Sequence, residues 1–344
     1  PEMGRYKGFQ AMRKGVSKTT VKLIVTLAAA VLAAIIIIHH NPLADPQEET
    51  VKKGIACLII VGAMAIFYRF YDRLVSLPVE LWQSRQLIWK LSKNDFKNRY
   101  AGSYLGRLWA FTQPVVTVLL YWFVFGHVMG QDKKEILTVG VEAPYVLWLT
   151  AGLVPWFYFS EAINNGTTSL LEYSYLVKKV VFKISIIPIV KLIAASFVHL
   201  FFVTFMLIVY FVYGYAPSIY LLQLLYYTFC MFMFVLALSY STCAIVIFFR
   251  DLTQIINIML QVGMWATPIL WNISMLDKSP VLQKILKINP VFYIVNGYRD
   301  TMFAKKWFWQ DFYSTAYFWI VTVVLFGLGA LIFRRLKVHF ADVL

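Results

Sequence analysis

Few residues in this chain could do chemistry. Within its apolar stretches Glu161 is the one ionisable side chain firmly placed, and a carboxylate in such surroundings is by default a proton relay or a cation ligand. A proton-coupled carrier needs several such groups, and Glu161 stands near the end of its stretch, within reach of water. A membrane-embedded glycosyl- or acyl-transferase, the alternative class, would need acidic or histidine side chains gathered at a membrane face. Asp251, Asp300 and His199 form no recognisable set of that kind. Nucleotide chemistry would need G-x-x-x-x-G-K-[ST]. Gly15-Val16-Ser17-Lys18-Thr19-Thr20 has only its tail, with Lys18 displaced from the glycine and no strand before it. HExxH and GxSxG are missing, the His residues lack paired metal spacing, and Cys57, Cys230 and Cys243 sit in apolar runs without CxxC. The residue types point to conduction, not catalysis.

Aromatic residues make up 17% of the chain. Belts at the two membrane–water boundaries account for many of them, but three clusters are denser than belts require. They are Tyr121-Trp122-Phe123, Trp156-Phe157-Tyr158-Phe159 and the segment from Trp265 to Trp271. Ring faces stack on sugar C–H faces while Tyr and Trp still donate hydrogen bonds. Tyr121, Trp122, Trp156, Tyr158, Trp265 and Trp271 are therefore candidates for a sugar-conducting lining.

The elements that must position these residues are transmembrane helices. Charged residues are only 14% of the chain, and residues 192–249 contain none, so the apolar runs suit a bilayer and not a soluble core. About 20 apolar residues cross roughly 30 Å of hydrocarbon, and helices satisfy their own backbone there. Six spans are expected at 108–131, 143–171, 192–213, 218–249, 252–276 and 312–333. The turn Tyr213-Gly214-Tyr215-Ala216-Pro217-Ser218 divides the longest run. Two shorter spans are expected at 23–38 and 54–68, the first as an uncleaved anchor because Ile35 to Ile38 lead directly into His39-His40-Asn41-Pro42, with no small-x-small site at that junction.

The net charge of +15 lies between apolar spans, which argues for the positive-inside rule and against nucleic acid. With both ends of the sequence in the cytoplasm and eight alternating helices, 22 of the 32 Lys and Arg residues fall on the cytoplasmic side. The expected location is the cytoplasmic membrane, in multiple passes.

Three connecting segments need explaining. In residues 81–99, Gln83, Gln86, Lys90, Lys93, Asn94 and Lys97 recur at helical steps. Leu81, Trp82, Leu87, Ile88, Trp89, Leu91 and Phe96 spread over the other side. This is an amphipathic helix in the cytoplasmic interface, apolar side in lipid, as a passive anchor or something more. The connection Glu172-Tyr173-Ser174-Tyr175-Leu176-Val177-Lys178-Lys179 is an ordinary positive-inside loop or a short helix that a soluble partner grips. The external segment 272–311 is apolar enough to fold as short helices dipping into the outer leaflet, with Arg299 and Asp300 as a structural pair or an exit lining.

Leu87-Ile88-Trp89, Asp95-Phe96-Lys97-Asn98-Arg99-Tyr100, Ser103-Tyr104-Leu105-Gly106-Arg107-Leu108-Trp109 and Tyr121 to Gly126 resemble the start of ABC-2 type polysaccharide export permeases. Gly152 to Phe157, Leu176 to Lys179, Phe249 to Leu252, Thr267 to Trp271, Asn289-Pro290-Val291, Tyr298-Arg299 and the ending Phe340 to Leu344 extend it over about 80–344. Within that family the sequence looks most like wall teichoic acid exporters. The resemblance implies an all-α, six-helix ABC-2 (type V) exporter domain at 108–344 and an interface helix at 80–107; the N-terminal extension at 1–79, with its two extra spans, departs from the family, whose members usually begin at the interface helix. It implies a homodimer of half-transporters, each with a separate cytosolic ATPase subunit that binds ATP and Mg; the permease itself holds no cofactor and is not an enzyme. The substrate implied is an undecaprenyl-diphosphate-linked polymer among ordinary membrane lipids. ATPase coupling is then expected from Trp89, Lys93, Lys97, Glu172, Tyr173 and Tyr175, through a coupling helix near 172–180. Lys97, Arg99 and Arg107 would meet the diphosphate, and gate helices near 272–300 would include Tyr298 and Arg299.

Overall fold

The computed structural model describes residues 18–38, 46–99, 108–128, 135–136, 142–178 and 183–344. The chain divides into two compact units, Pro1–Val79 and Glu80–Leu344. In the first, helix α1 (Lys18–Ile38) is fastened to α2 (Pro46–Gln83), within which the expected span 54–68 falls. Thr26 Oγ1 lies 2.6 Å from Tyr68 Oη, and the Lys22 ammonium sits over the Tyr68 and Tyr71 rings.

The second unit is a helical bundle. Its described elements begin with α3 (Arg85–Asn98) and α4 (Trp109–Tyr121), which runs on as a π-helix, Trp122–Val128. A two-residue hairpin pairs Glu135 with Ala143 and Ile136 with Glu142. Then come α5 (Tyr145–Glu172), the single turn α6 (Ser174–Val177), α7 (Ile187–Val212) and α8 (Gln223–Val246). The chain continues through α9 (Leu252–Ala266), α10 (Pro280–Lys287), α11 (Pro290–Arg299) and α12 (Phe312–Leu336). The centre is α5, buried on nearly every side and packed by α7, α8, α9 and α11. Its first half, Tyr145 to Phe159, is apolar on nearly every side, which suits a central helix and not a half-exposed one.

Five helices among the described residues are long and apolar enough to cross a membrane: Lys18–Ile38, Tyr145–Glu172, Ile184–Val212, Ile219–Val246 and Phe308–His339. The charge-free run breaks where expected, with Gly214 at φ +83°, a conformation open to glycine without strain. The stretch 252–276 departs from expectation. Helix α9 stops at Ala266, and its 15 residues rise only about 22 Å, short of a full crossing. Thr267 is forced to an extended conformation (φ −91°, ψ 124°) by Pro268, which also supplies no N–H to carry the helix on.

Candidate functional site

Two polar assemblies stand at opposite ends of α5, separated by about 36 Å of helix between Trp148 and Glu172. The first joins four residues from three helices and the turn after α5. Lys191 on α7 is 5% exposed, and its ammonium lies 2.6 Å from Asp95 Oδ1 on α3 and 2.6 Å from Glu172 Oε2 at the end of α5. Tyr173 donates its hydroxyl to the same Asp95 oxygen at 2.7 Å, and Lys191 also sits over the Tyr173 ring. Burial, then the hydrogen bond to the Asp95 carboxylate, pushes the Tyr173 phenol above its ordinary range, so it remains a donor. Leaving Lys191 or Asp95 unmatched in such a buried place would be costly, so their ion pair holds α3 against α7, and the half-exposed Glu172 adds α5 to the joint.

Local sequence explains the docking of α3. Ile88, Ser92 and Asp95, at helical spacing, form its buried stripe. Ile88 meets Ile186 and Val190, while Trp89 and Phe96 both pack their rings on Phe197 of α7. The apolar side expected in lipid is therefore divided, with Leu81, Ile88 and Leu91 packed on the bundle. The face turned to the bundle includes the charged Asp95, because Lys191 is there to meet it. Trp82, Leu87 and Trp89 remain largely exposed, as do the basic residues of the polar stripe.

The expected coupling residues therefore divide. Glu172 and Tyr173 belong to the ion-paired joint; Tyr175 is 57% exposed beside them. Lys93 lies over the Trp89 ring on the outer side of α3, and Lys97 is exposed. A polar cavity of about 520 Å³ opens between Asn94, Asn98, Glu172, Tyr173 and Tyr175. Arg99, expected at the lipid diphosphate, is ion-paired with Glu161. Arg107 lies outside the described residues. Sequence reasoning did not single out Asp95 or Lys191. The signal was present: Asp95 is the only acid between residues 81 and 107, and Lys191 is the last charge before the 58-residue neutral run.

The second assembly closes the break after α9. Arg299 is 3% exposed and donates to the carbonyls of Pro268 (2.7 Å), Ile269 (2.9 Å) and Trp148 (3.4 Å). Its guanidinium lies 3.6 Å from the centre of the Trp148 ring. Asn289 Nδ2 donates to Thr267 Oγ1 at 2.7 Å. These donors take up the carbonyls and hydroxyl that the broken helix leaves over, as apolar surroundings require. Gly152 permits the approach, since a Cβ there would stand 2.8 Å from Arg299 Nη2. Tyr298 is fully buried, 3.0 Å from His199 Nε2 and 2.8 Å from Thr228 Oγ1. Tyr298 and Arg299, expected within the gate helices, are buried and anchor the segment that carries them.

The expected aromatic lining is also divided. Trp156 is a core residue packed on Phe159; Tyr158 is core too, stacked on His199 and bonded to Ser196. Tyr158 borders a 260 Å³ cavity with Arg99, Glu161 and His199. Tyr121 and Trp122 are half-buried. Trp265 is 60% exposed at the end of a stripe on α9 with Ile255, Ile258, Met259 and Val262, and Trp271 donates to its carbonyl at 3.0 Å.

Residues 86–303, which hold both assemblies, match the family model of the ABC-2 type transporter. The chain belongs to the ABC-2 type transporter family. Two relatives extend the likeness. The O-antigen export system permease protein RfbA of Klebsiella pneumoniae is 28% identical over 74% of this chain and 93% of its own length. That of Myxococcus xanthus is 27% identical over 78% of this chain and 99% of its own. This ABC-2 chain is thus a transport subunit and not an enzyme, and residues 1–79 lie outside the family match. The relatives are O-antigen permeases, whereas the motifs leaned towards wall teichoic acid exporters.

Proposed function

We propose that this chain is the membrane permease of an ABC exporter that carries an undecaprenyl-diphosphate-linked surface polysaccharide out of the cytoplasm. The polymer is of the O-antigen or teichoic acid kind. The observation that carries this reading is the joint of Asp95, Lys191, Glu172 and Tyr173, which ties an amphipathic helix to the turn that follows α5 at one end of the bundle. Such a joint suits the transmission of force from a soluble motor. We place that end in the cytoplasm, with both ends of the sequence, in keeping with the distribution of basic residues. A separate ATPase subunit, holding ATP and Mg, would grip Trp89, Lys93 and Tyr175 and fill the neighbouring cavity.

The domain would comprise six membrane segments: 109–128, 145–172, 184–212, 219–246, 252–266 and 308–339, preceded by the interface helix at 80–107 and by the 1–79 extension. Two copies would face each other across α4 and α9, whose apolar stripes need a cover beyond what one copy supplies. Lys97, Arg99 and Arg107 would meet the diphosphate at the cytoplasmic mouth, with Arg99 exchanging its Glu161 partner for phosphate oxygens. Helices α10 and α11 would form the external gate. Reconstitution of the chain with its ATPase in vesicles, followed by accessibility of the lipid-linked polymer from outside, tests the proposal. ATP-dependent appearance of polymer is expected; transfer that proceeds without nucleotide would refute an ABC mechanism.

A further inference from the structure

At the end of the bundle opposite the ion-paired joint, a cavity of about 690 Å³ opens between α10, α11 and α12. Its position and its charges both bear on a ligand. Helix α10 is strongly two-sided. Val281 is 70% exposed, Ile285 55% and the following Ile288 59%, while Lys284 and Lys287, three residues apart, line the cavity. In a membrane protein an eight-residue helix with such an exposed apolar side is suited to the bilayer surface, its greasy side among acyl chains. That places the lysines at the depth of lipid headgroups. Tyr317 supports the arrangement by donating to the Ile288 carbonyl at 2.7 Å.

The electrostatics select an anion. Three ammonium groups, Lys284, Lys287 and Lys306, face two carboxylates, Asp300 and Asp311. Lys306 and Asp311 neutralise each other at 2.7 Å. Among the described residues neither Lys284 nor Lys287 has a carboxylate partner, so two cations face one remaining acid. Tyr313, Ser314 and Asn296 add polar groups at the wall, and the volume is within the range of small-ligand pockets. We infer that this cavity binds the phosphate-bearing headgroup of an anionic lipid in the leaflet at that end of the bundle. Lys284 and Lys287 clasp the phosphate and the tyrosines flank the group attached to it. The inference needs the chain to lie in a bilayer; it does not depend on the export reading.

Native mass spectrometry of the purified full chain, without any ATPase, tests it. The probes are phosphatidylglycerol, a polyprenyl diphosphate, phosphatidylcholine and inorganic phosphate. Wild-type protein is expected to retain one or both anionic lipids, and whichever is held more tightly identifies the source of the phosphate. K284Q/K287Q should weaken that binding roughly tenfold or more. K278Q, which removes an exposed charge outside the cavity, should bind as wild type does. Equal retention of phosphatidylcholine, equal loss in K278Q, undiminished binding in K284Q/K287Q, or competition by inorganic phosphate at lipid concentrations would each overturn the inference.

Discussion

Single side chains carry unusual responsibility in this bundle. Lys191 serves two carboxylates, and Asp95, 7% exposed at its side chain, has little water to turn to. Removing the lysine strands that charge. Lys191→Met should destabilise the chain by about 3 kcal/mol, visible as a lower melting temperature in detergent. Adding Asp95→Leu should recover much of the loss, since exchanging a buried pair for apolar groups is often neutral. A double variant as unstable as the single one would mean that the pair is not what holds α3. Asp300 offers a second test. Its carboxyl is pushed up to about 6, chiefly by burial, with Asp311 adding to the effect and Lys306 and Arg299 opposing it. The folded chain therefore binds this proton more tightly than the unfolded one. The resulting stability is present in full below the unfolded value, about 4, and is lost as pH rises through 6. The Asp300→Asn variant should show a shallower decline over that window, by on the order of 2 kcal/mol. An unchanged slope in thermal melts from pH 4 to 6.5 would count against it.

Among the elements, α3 is the one whose placement depends on small side chains. Ser92 is fully buried against α7 and donates back to the Ile88 carbonyl. Ser92→Leu inserts a bulk the seam cannot hold and should cost about 1–3 kcal/mol. Cysteines replacing Trp89 and Phe197, whose rings are 5.6 Å apart, would report it: a short bifunctional thiol reagent should link them in the parent and fail in the Ser92→Leu form. The sequence made this element legible as an amphipathic helix but not its orientation. Hydrophobic periodicity ranks Asp95 as solvent-facing, and only a partner 96 residues away reverses that. The same limit applies at α9. Thr267-Pro268 announces a helix end, yet the uninterrupted neutral run to residue 276 outweighed it in a count of apolar residues. The long helices α5, α7, α8 and α12 were legible because length and hydropathy suffice to define them. The aromatic clusters were not, because a tryptophan in a core and one facing a channel have the same local sequence.

At the scale of the whole molecule, much apolar surface lies outside the core of the bundle. Met259 on α9 and Leu225 on α8 are similarly exposed, at 64% and 69%, but only α9 is too short to cross a bilayer alone. In a cysteine-free background, Met259→Cys should form disulfide-linked pairs of chains on mild oxidation, whereas Leu225→Cys should not. Equal linking at the two positions would point to random encounter in the membrane and remove the support for two copies meeting across α9.

The clasp by Arg299 also bears on how the protein is made. The carbonyl of Pro268 emerges from the ribosome 31 residues ahead of the guanidinium that satisfies it, and Trp148 leads by 151. A nascent chain that has just inserted α9 therefore carries an open stretch of backbone which lipid cannot solvate. Insertion in strict order of synthesis would stall there. Residues 268 and 269 gain their donor only when the arginine arrives. Chains cut short before residue 299 should be recognised as unfinished and degraded.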